Sequence, residues 1–213
     1  MATVNGSALG FFKGKIGNTV AYQLNGKNVV RSLPSKSAKN KRGSKMQNEN
    51  RSKFTRMQYF LQPILYFIRV GFNLEGRAKQ MSAHNAAKSY NMLHAFNDED
   101  NIDYSKVLVS YGNLTGAVDA TVVKDDAGLH FSWRDNTESH VGRNADQVML
   151  LAYCPEDRFV KMMLSGARRR AGQETLEIAE RLEKNQIVHA WIAFISDDRQ
   201  HISMSTYLGE IIF

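Results

Sequence analysis

Hydrophobic and polar residues change their rhythm twice along this chain. Over residues 9–33 they alternate with period two: Val20, Tyr22 and Leu24 are separated by Ala21 and Gln23, Asn25-Gly26 interrupts, and Val29-Val30 resumes. Alternation on both sides of an Asn-Gly pair predicts a β-hairpin, because a type I′ turn needs positive φ at both central residues. Glycines at 10, 14 and 17 permit bends or close backbone approach. Pro34 ends the ribbon, and a polar, basic linker runs on to Lys45.

From Met46 the spacing becomes helical. Phe54, Met57, Phe60-Leu61, Ile64-Leu65 and Ile68 return at three- and four-residue steps. Ser44 and Gln47 have the spacing of a capping box at the start of this helix. Pro63 falls inside it and should kink or divide it, and Gly71 and Gly76 mark its end. A second helix is expected over roughly Ala78 to Phe96, with Ala83, Ala86-Ala87, Tyr90, Leu93 and Phe96 on one face.

After "NDEDNID" the pattern returns to alternation. Strands are expected at Ser105–Ser110, Ala120–Val123, Leu129–Trp133, Gln147–Tyr153, Phe159–Met163, Thr175–Ile178, Val188–Ile195 and His201–Leu208. Turn residues at Asp125-Asp126-Ala127-Gly128 and Asp197-Asp198 separate some of them. Short strands without intervening helices predict an antiparallel β-sandwich, with Trp133 and Trp191 as core anchors. The fold class read from the pattern is therefore mainly β with an α insertion (α+β). Its parts are an N-terminal Gly-rich β-ribbon (1–34), a basic linker (35–45), a helical hairpin (46–97) and a C-terminal antiparallel, immunoglobulin-like sandwich (104–213).

Charge sharpens this division. Residues 1–95 hold 16 Lys and Arg against Glu49 and Glu75, a balance of +14. The remainder holds 12 basic and 19 acidic residues, or −7, and the two sum to the net +7. Such asymmetry points to a polyanionic partner or to an oppositely charged protein surface. The chain's own acidic half is one such surface.

Little chemistry is visible. A single Cys154 allows no intramolecular disulfide, and in "MLLAYCP" it reads as a buried small hydrophobe. The histidines at 84, 94, 130, 140, 189 and 201 show no metal-ligand spacing. "GFFKGK" has one residue too few between its glycines for a phosphate loop, and Ile16 stands where Ser or Thr would hold magnesium. There is no Gly-x-Ser-x-Gly elbow, and "ARRRAG" at 167–172 reads as a solvated loop. The stretch 64–72 is too short to span a bilayer, and the start lacks the n-region of a secretory signal. The expectation is a non-enzyme with no cofactor, no metal and no small-molecule substrate. Its expected location is the cytoplasm, with release in a particle or by a non-classical route as the alternative.

The motifs "GKIGNTVAYQLNGKNVVRSLP", "FLQPILYFIRVGF", "HNAAKSYNML", "IDYSKVLVSYGNL" and "FSWRDN…ADQVMLLAY…STYLG" resemble, in order, domain-of-unknown-function family 6266 of the Bacteroidota. The resemblance runs from about Gly10 to Gly209 and implies no activity and no catalytic residues. The C-terminal half is separately similar to fibronectin type III and immunoglobulin-like modules, scaffolds used mostly for binding or structure.

Two functions are expected. In the first, the protein self-assembles through its ribbon, burying Phe11, Phe12, Ile16, Val20, Tyr22 and Leu24 against another copy, because a lone two-stranded ribbon is marginal. In the second, Lys36, Lys39, Lys41, Arg42, Lys45, Arg51, Lys53 and Arg56 neutralise the phosphates of nucleic acid or another polyanion. A monomeric binding module is the remaining alternative.

Overall fold

A strand covered on one face alternates apolar with polar residues, whereas a strand covered on both faces reads as a continuous apolar run. Residues 147–154 (QVMLLAYC) and 187–195 (IVHAWIAFI) are runs of the second kind, and they form the centre of the protein. The computed structural model describes residues 2–3, 13–24, 26–33, 43–137, 145–178 and 185–213. Strands β1 (Ala2–Thr3), β2 (Gly14–Ile16), β3 (Thr19–Leu24) and β4 (Lys27–Ser32) come first. Helices α1 (Lys45–Leu61), α2 (Leu65–Gly71), α3 (Asn73–Ala78) and α4 (Ala83–His94) come next. The chain then forms β5 (Val118–Lys124), β6 (Gly128–Arg134), β7 (Gln147–Cys154), β8 (Phe159–Met163), β9 (Gln173–Glu177), β10 (Ile187–Ile195) and β11 (Thr206–Ile212). It is a mixed α+β protein whose described strands form three antiparallel sheets, ordered β1-β4-β3-β2, β11-β10-β7-β8 and β5-β6-β9.

The chain divides into two compact units, residues 1–48 and 49–213. The expected boundaries at 34/35, 45/46 and 97/104 differ from this division. In the second unit the reason is a shared core. Met149, Leu151 and Tyr153 of β7, with Trp191, Ala193 and Ile195 of β10, join Met57, Phe60, Phe67 and Phe72 of the helical segment in one cluster. The alternate side chains of the same two strands, Val148, Leu150, Ala152, Val188, Ala190, Ile192 and Phe194, join Leu129, Phe131, Trp133 and Leu176 of β6 and β9 in another. Successive side chains of a strand point to opposite faces, so β7 and β10 tie helices and the second sheet into one body.

Local chemistry sets the helix ends. The Ser44 amide donates to Gln47 Oε1 at 3.1 Å and the Gln47 amide to Ser44 Oγ at 3.3 Å, a reciprocal capping box that opens α1. Pro63 lies in the gap between α1 and α2. Gly71 lets the chain pass closely: a Cβ there would lie 2.4 Å from the Val109 carbonyl oxygen. The helix expected from Ala78 to Phe96 is the shorter α4, because α3 ends at Ala78 and the chain restarts at Ser82, the N-cap that accepts from the Asn85 amide at 3.2 Å. Leu93, placed on the buried face by its spacing, is 77% exposed, while Asn91 is fully buried.

Three further expectations are corrected. Residues 105–110 do not form a strand: Tyr104–Lys106 is a short 3-10 turn, and residues 107–110 are pinned by side chains rather than by a ladder. Asn91 Nδ2 donates to the Leu108 carbonyl (2.8 Å), the Leu108 amide donates to Asn91 Oδ1 (2.9 Å), and the Val109 amide donates to Ser205 Oγ (3.0 Å). The last strand begins at Thr206 rather than His201, because Ser203 and Ser205 occupy buried positions as hydrogen-bond partners of Phe194 and Val109. The ribbon is not two-stranded: β1 pairs with β4 and β2 with β3, giving four strands. Its central hairpin has the expected register, with Leu24 opposite Lys27 around a two-residue turn and Gly26 at φ 74°.

Candidate functional site

The first unit combines strong charge with few buried apolar side chains among its described residues. Residues 1–48 hold nine Lys and Arg and no Asp or Glu, so the second unit, with 19 basic and 21 acidic residues, carries −2 of the net +7. Among its described residues the buried apolar side chains are Ala21 and Val29. Of the proposed self-association residues, Ile16 and Leu24 are 58% and 50% exposed, and Val20 and Tyr22 are half-buried. The Arg31 guanidinium lies 5.5 Å from the Tyr22 ring centroid. Phe11 and Phe12 lie outside the described residues, as do Lys36, Lys39, Lys41 and Arg42.

The remaining candidate polyanion contacts lie on α1. Lys45 and Arg51 are exposed. Lys53 and Arg56 have partners within the chain: Lys53 Nζ is 2.6 Å from Asp100 Oδ1, and Arg56 Nη1 donates to the Asp100 carbonyl (2.7 Å) and Asn101 Oδ1 (3.1 Å). The acidic connector "NDEDNID" thus engages two of the basic residues expected to meet a polyanion.

Beside this contact, two clefts adjoin. The first, of about 460 Å³, is apolar and aromatic, lined by Tyr59, Phe60, Ile102, Tyr104, Tyr153 and Pro155, with Thr55, Arg56 and Asn101 at its margin. Phe60 meets Tyr104 and Tyr153 edge-on, with centroids 5.6 and 5.1 Å apart, a favourable arrangement of ring edges against ring faces. The second, of about 510 Å³, shares Ile102 and Tyr104 with the first and is otherwise polar, lined by Asn97, Asp103, Ser105, Tyr207, Gly209 and Glu210. It has two carboxylates in its lining and no basic side chain. Hydrogen bonds from Ser105, followed by Lys106, hold the Asp103 carboxyl below its ordinary value.

His189 and Tyr207 underlie this second cleft. His189 Nδ1 is 2.9 Å from Tyr207 Oη, and the imidazole stacks on Tyr104 at 4.0 Å between centroids. Burial pushes His189 down to about 4, so the ring is neutral at pH 7 and leaves Glu210, 4.0 Å away, uncompensated. Burial also pushes Tyr207 up to about 12. A neutral imidazole beside a protonated phenol can orient and hydrogen-bond, but it does not make an activated nucleophile. Among the described residues, no group of three His, Cys, Asp or Glu side chains is placed to hold a metal ion.

One arginine lies far from where its sequence context puts it. Arg169, expected in a solvated loop, is fully buried. Its Nε donates to Asp146 Oδ2 (3.3 Å), Nη1 to Asn136 Oδ1 (2.8 Å) and Nη2 to the Thr115 carbonyl (2.7 Å), and its guanidinium lies 3.8 Å from the Phe194 ring centroid. Trp133 Nε1 in turn donates to the Arg169 carbonyl at 2.7 Å. This network cross-links loops of the second unit around a guanidinium and a carboxylate that are both fully buried. The "RRR" run contained the signal, but nothing in it says which arginine turns inward.

Residues 11–209 match the family of unknown function DUF6266, and the chain belongs to that family. No curated protein and no solved structure matches it.

Proposed function

We propose that the protein is a non-enzymatic structural component that self-assembles, its basic N-terminal sheet docking onto the second unit of another copy. The observation that carries this reading is the mismatch within residues 1–48: four paired strands, two buried apolar side chains among the described residues, and nine basic groups without one acid. A sheet gains stability by covering a face, and burying an aliphatic or aromatic side chain contributes about 1.5–3 kcal/mol. Ile16 and Leu24 are open to such cover. Like charges within the unit oppose its own compaction and favour an acidic surface. In this reading the two sheets of the second unit that share an apolar cluster are an immunoglobulin-like sandwich serving as scaffold, and the protein is cytoplasmic. No helix among the described residues is long and apolar enough to cross a membrane.

The acid-free composition of the first unit also favours a second reading, in which exposed Lys13, Lys15 and Lys27, with the linker lysines, bind nucleic acid through phosphate neutralisation. One experiment separates the two. Sedimentation of the full chain over rising protein concentration, at about 50 and 200 mM salt, is repeated with mixed-sequence DNA. Self-assembly predicts a mass that grows with concentration and falls with salt in the absence of DNA. A monomer at every concentration overturns it, and a monomer shifted by DNA installs the second reading.

A further inference from the structure

We propose that the two adjoining clefts of residues 49–213 form a receptor for strand β2 of a second copy, the acidic cleft taking Lys13 and Lys15 and the aromatic cleft taking Ile16. The inference rests on the self-assembly reading and gives it an address.

The shape of the receptor restricts its ligand. An apolar cleft of about 460 Å³ and an acidic one of about 510 Å³ lie side by side, divided by Ile102 and Tyr104, which line both. A ligand lying along that divide must be apolar on one side and cationic on the other. An extended strand meets the requirement, because its side chains point alternately to opposite faces. Lys15-Ile16 of β2 is such a segment: as successive strand residues they point to opposite sides, and Lys13 stands immediately before the strand as a second cation.

Exposure agrees with the assignment. Residues 13–16 are all exposed, Ile16 at 58%, and β2 is an outer strand of its sheet, with β3 as its partner. The outer edge of such a strand is a template for further pairing.

Charge selects the partner. The acidic cleft has Asp103 and Glu210 in its lining with no basic side chain, and the unit offered to it has no acid at all. Asp103 is committed to Ser105 and Lys106, which leaves Glu210, 60% exposed and 4.0 Å from a neutral imidazole, as the principal acceptor. Arg56 lines the aromatic cleft, but its guanidinium donates to Asp100 and Asn101, and it is not among the residues that line the acidic one. Opposite charges at a rim chiefly steer the encounter and fix its register, while the buried apolar side chains supply the affinity.

A pair of charge reversals tests this on the full chain. Glu210→Lys and the double change Lys13→Glu with Lys15→Glu should each weaken self-association about tenfold or more, because each places like charges opposite one another. Mixed in equal amounts, the two variants should recover association beyond the dimer, with the two kinds of copy alternating. The intact β2 of the Glu210→Lys copy meets an intact receptor, the acidic β2 of its partner meets the new lysine, and only like copies repel. The recovery also shows that both variants are folded. If the unaltered protein assembles but Glu210→Lys assembles equally well, or the mixture stays monomeric, the receptor is wrong and self-assembly stands. If the unaltered protein is monomeric at low salt, both readings fall together.

Discussion

Residues 49–213 enclose clusters of nineteen and twelve buried apolar residues on the two faces of one central sheet, whereas the described part of residues 1–48 buries Ala21 and Val29. Both units contain antiparallel sheet with continuous paired registers. The difference is cover. In the second unit helices lie over one face of β7 and β10 and a second sheet over the other, so every side chain of the run 148–154 is buried. In the first, the described residues bury only Ala21 and Val29, and the sequence has nine basic residues and no acid. Hydrogen-bonded pairing alone gives little net stability, since the unfolded chain bonds equally well to water. The unit with two covered faces carries its own core, whereas the described residues of the other bury little beyond Ala21 and Val29.

The largest expected effect comes from stripping one face of the central sheet. A fragment of residues 104–213 keeps every strand of the second unit but exposes Met149, Leu151, Tyr153 and Trp191, which pack on the helical segment. It should be insoluble or should bind hydrophobic dyes strongly; a soluble monomer with a cooperative unfolding transition would break the comparison. Next is Arg169→Leu, which leaves buried Asp146 without its cationic partner at 3.3 Å. Denaturant unfolding should show a loss of about 3–5 kcal/mol, the usual consequence of removing one half of a buried pair. A loss under about 1 kcal/mol would mean that the network is not what joins the loops of the second unit.

A smaller effect concerns pH. His189 is depressed from 6.5 to about 4 by burial, so the folded state resists a proton that the unfolded chain accepts. Its contribution is complete above about pH 6.5 and declines as pH falls towards 4, by roughly 3 kcal/mol at most. Melting temperature measured across that window should fall, and His189→Gln should flatten the slope; an unchanged slope would assign the loss to other groups. The smallest effect sharpens the contrast directly. Ile16→Ser with Leu24→Ser alters exposed positions and should change unfolding free energy by no more than about 0.5 kcal/mol each. The same pair should reduce self-association in sedimentation. Equal loss of stability and of association would show instead that both residues belong to a core within their own chain.

Local rules made much of this architecture legible. Asn25-Gly26 names its turn because few residues tolerate positive φ, Pro63 breaks a helix because it lacks an amide hydrogen, and Ser44 with Gln47 can satisfy two helix-end amides by themselves. Apolar runs mark β7 and β10, and the acid-free opening can be counted directly. Tertiary structure decided what those elements meet. It joined helices to sheet across β7 and β10, replaced a predicted strand at 105–110 with a segment pinned by Asn91 and Ser205, and turned Arg169 rather than its neighbours inward. It also set Ile102 and Tyr104 between an aromatic and an acidic cleft whose linings run from Thr55 to Glu210. Such pairings join positions tens of residues apart, 96 in the case of Val109 and Ser205, and a local pattern has no term for a partner that distant. Periodicity reports which side of an element is apolar; only packing reports what covers it.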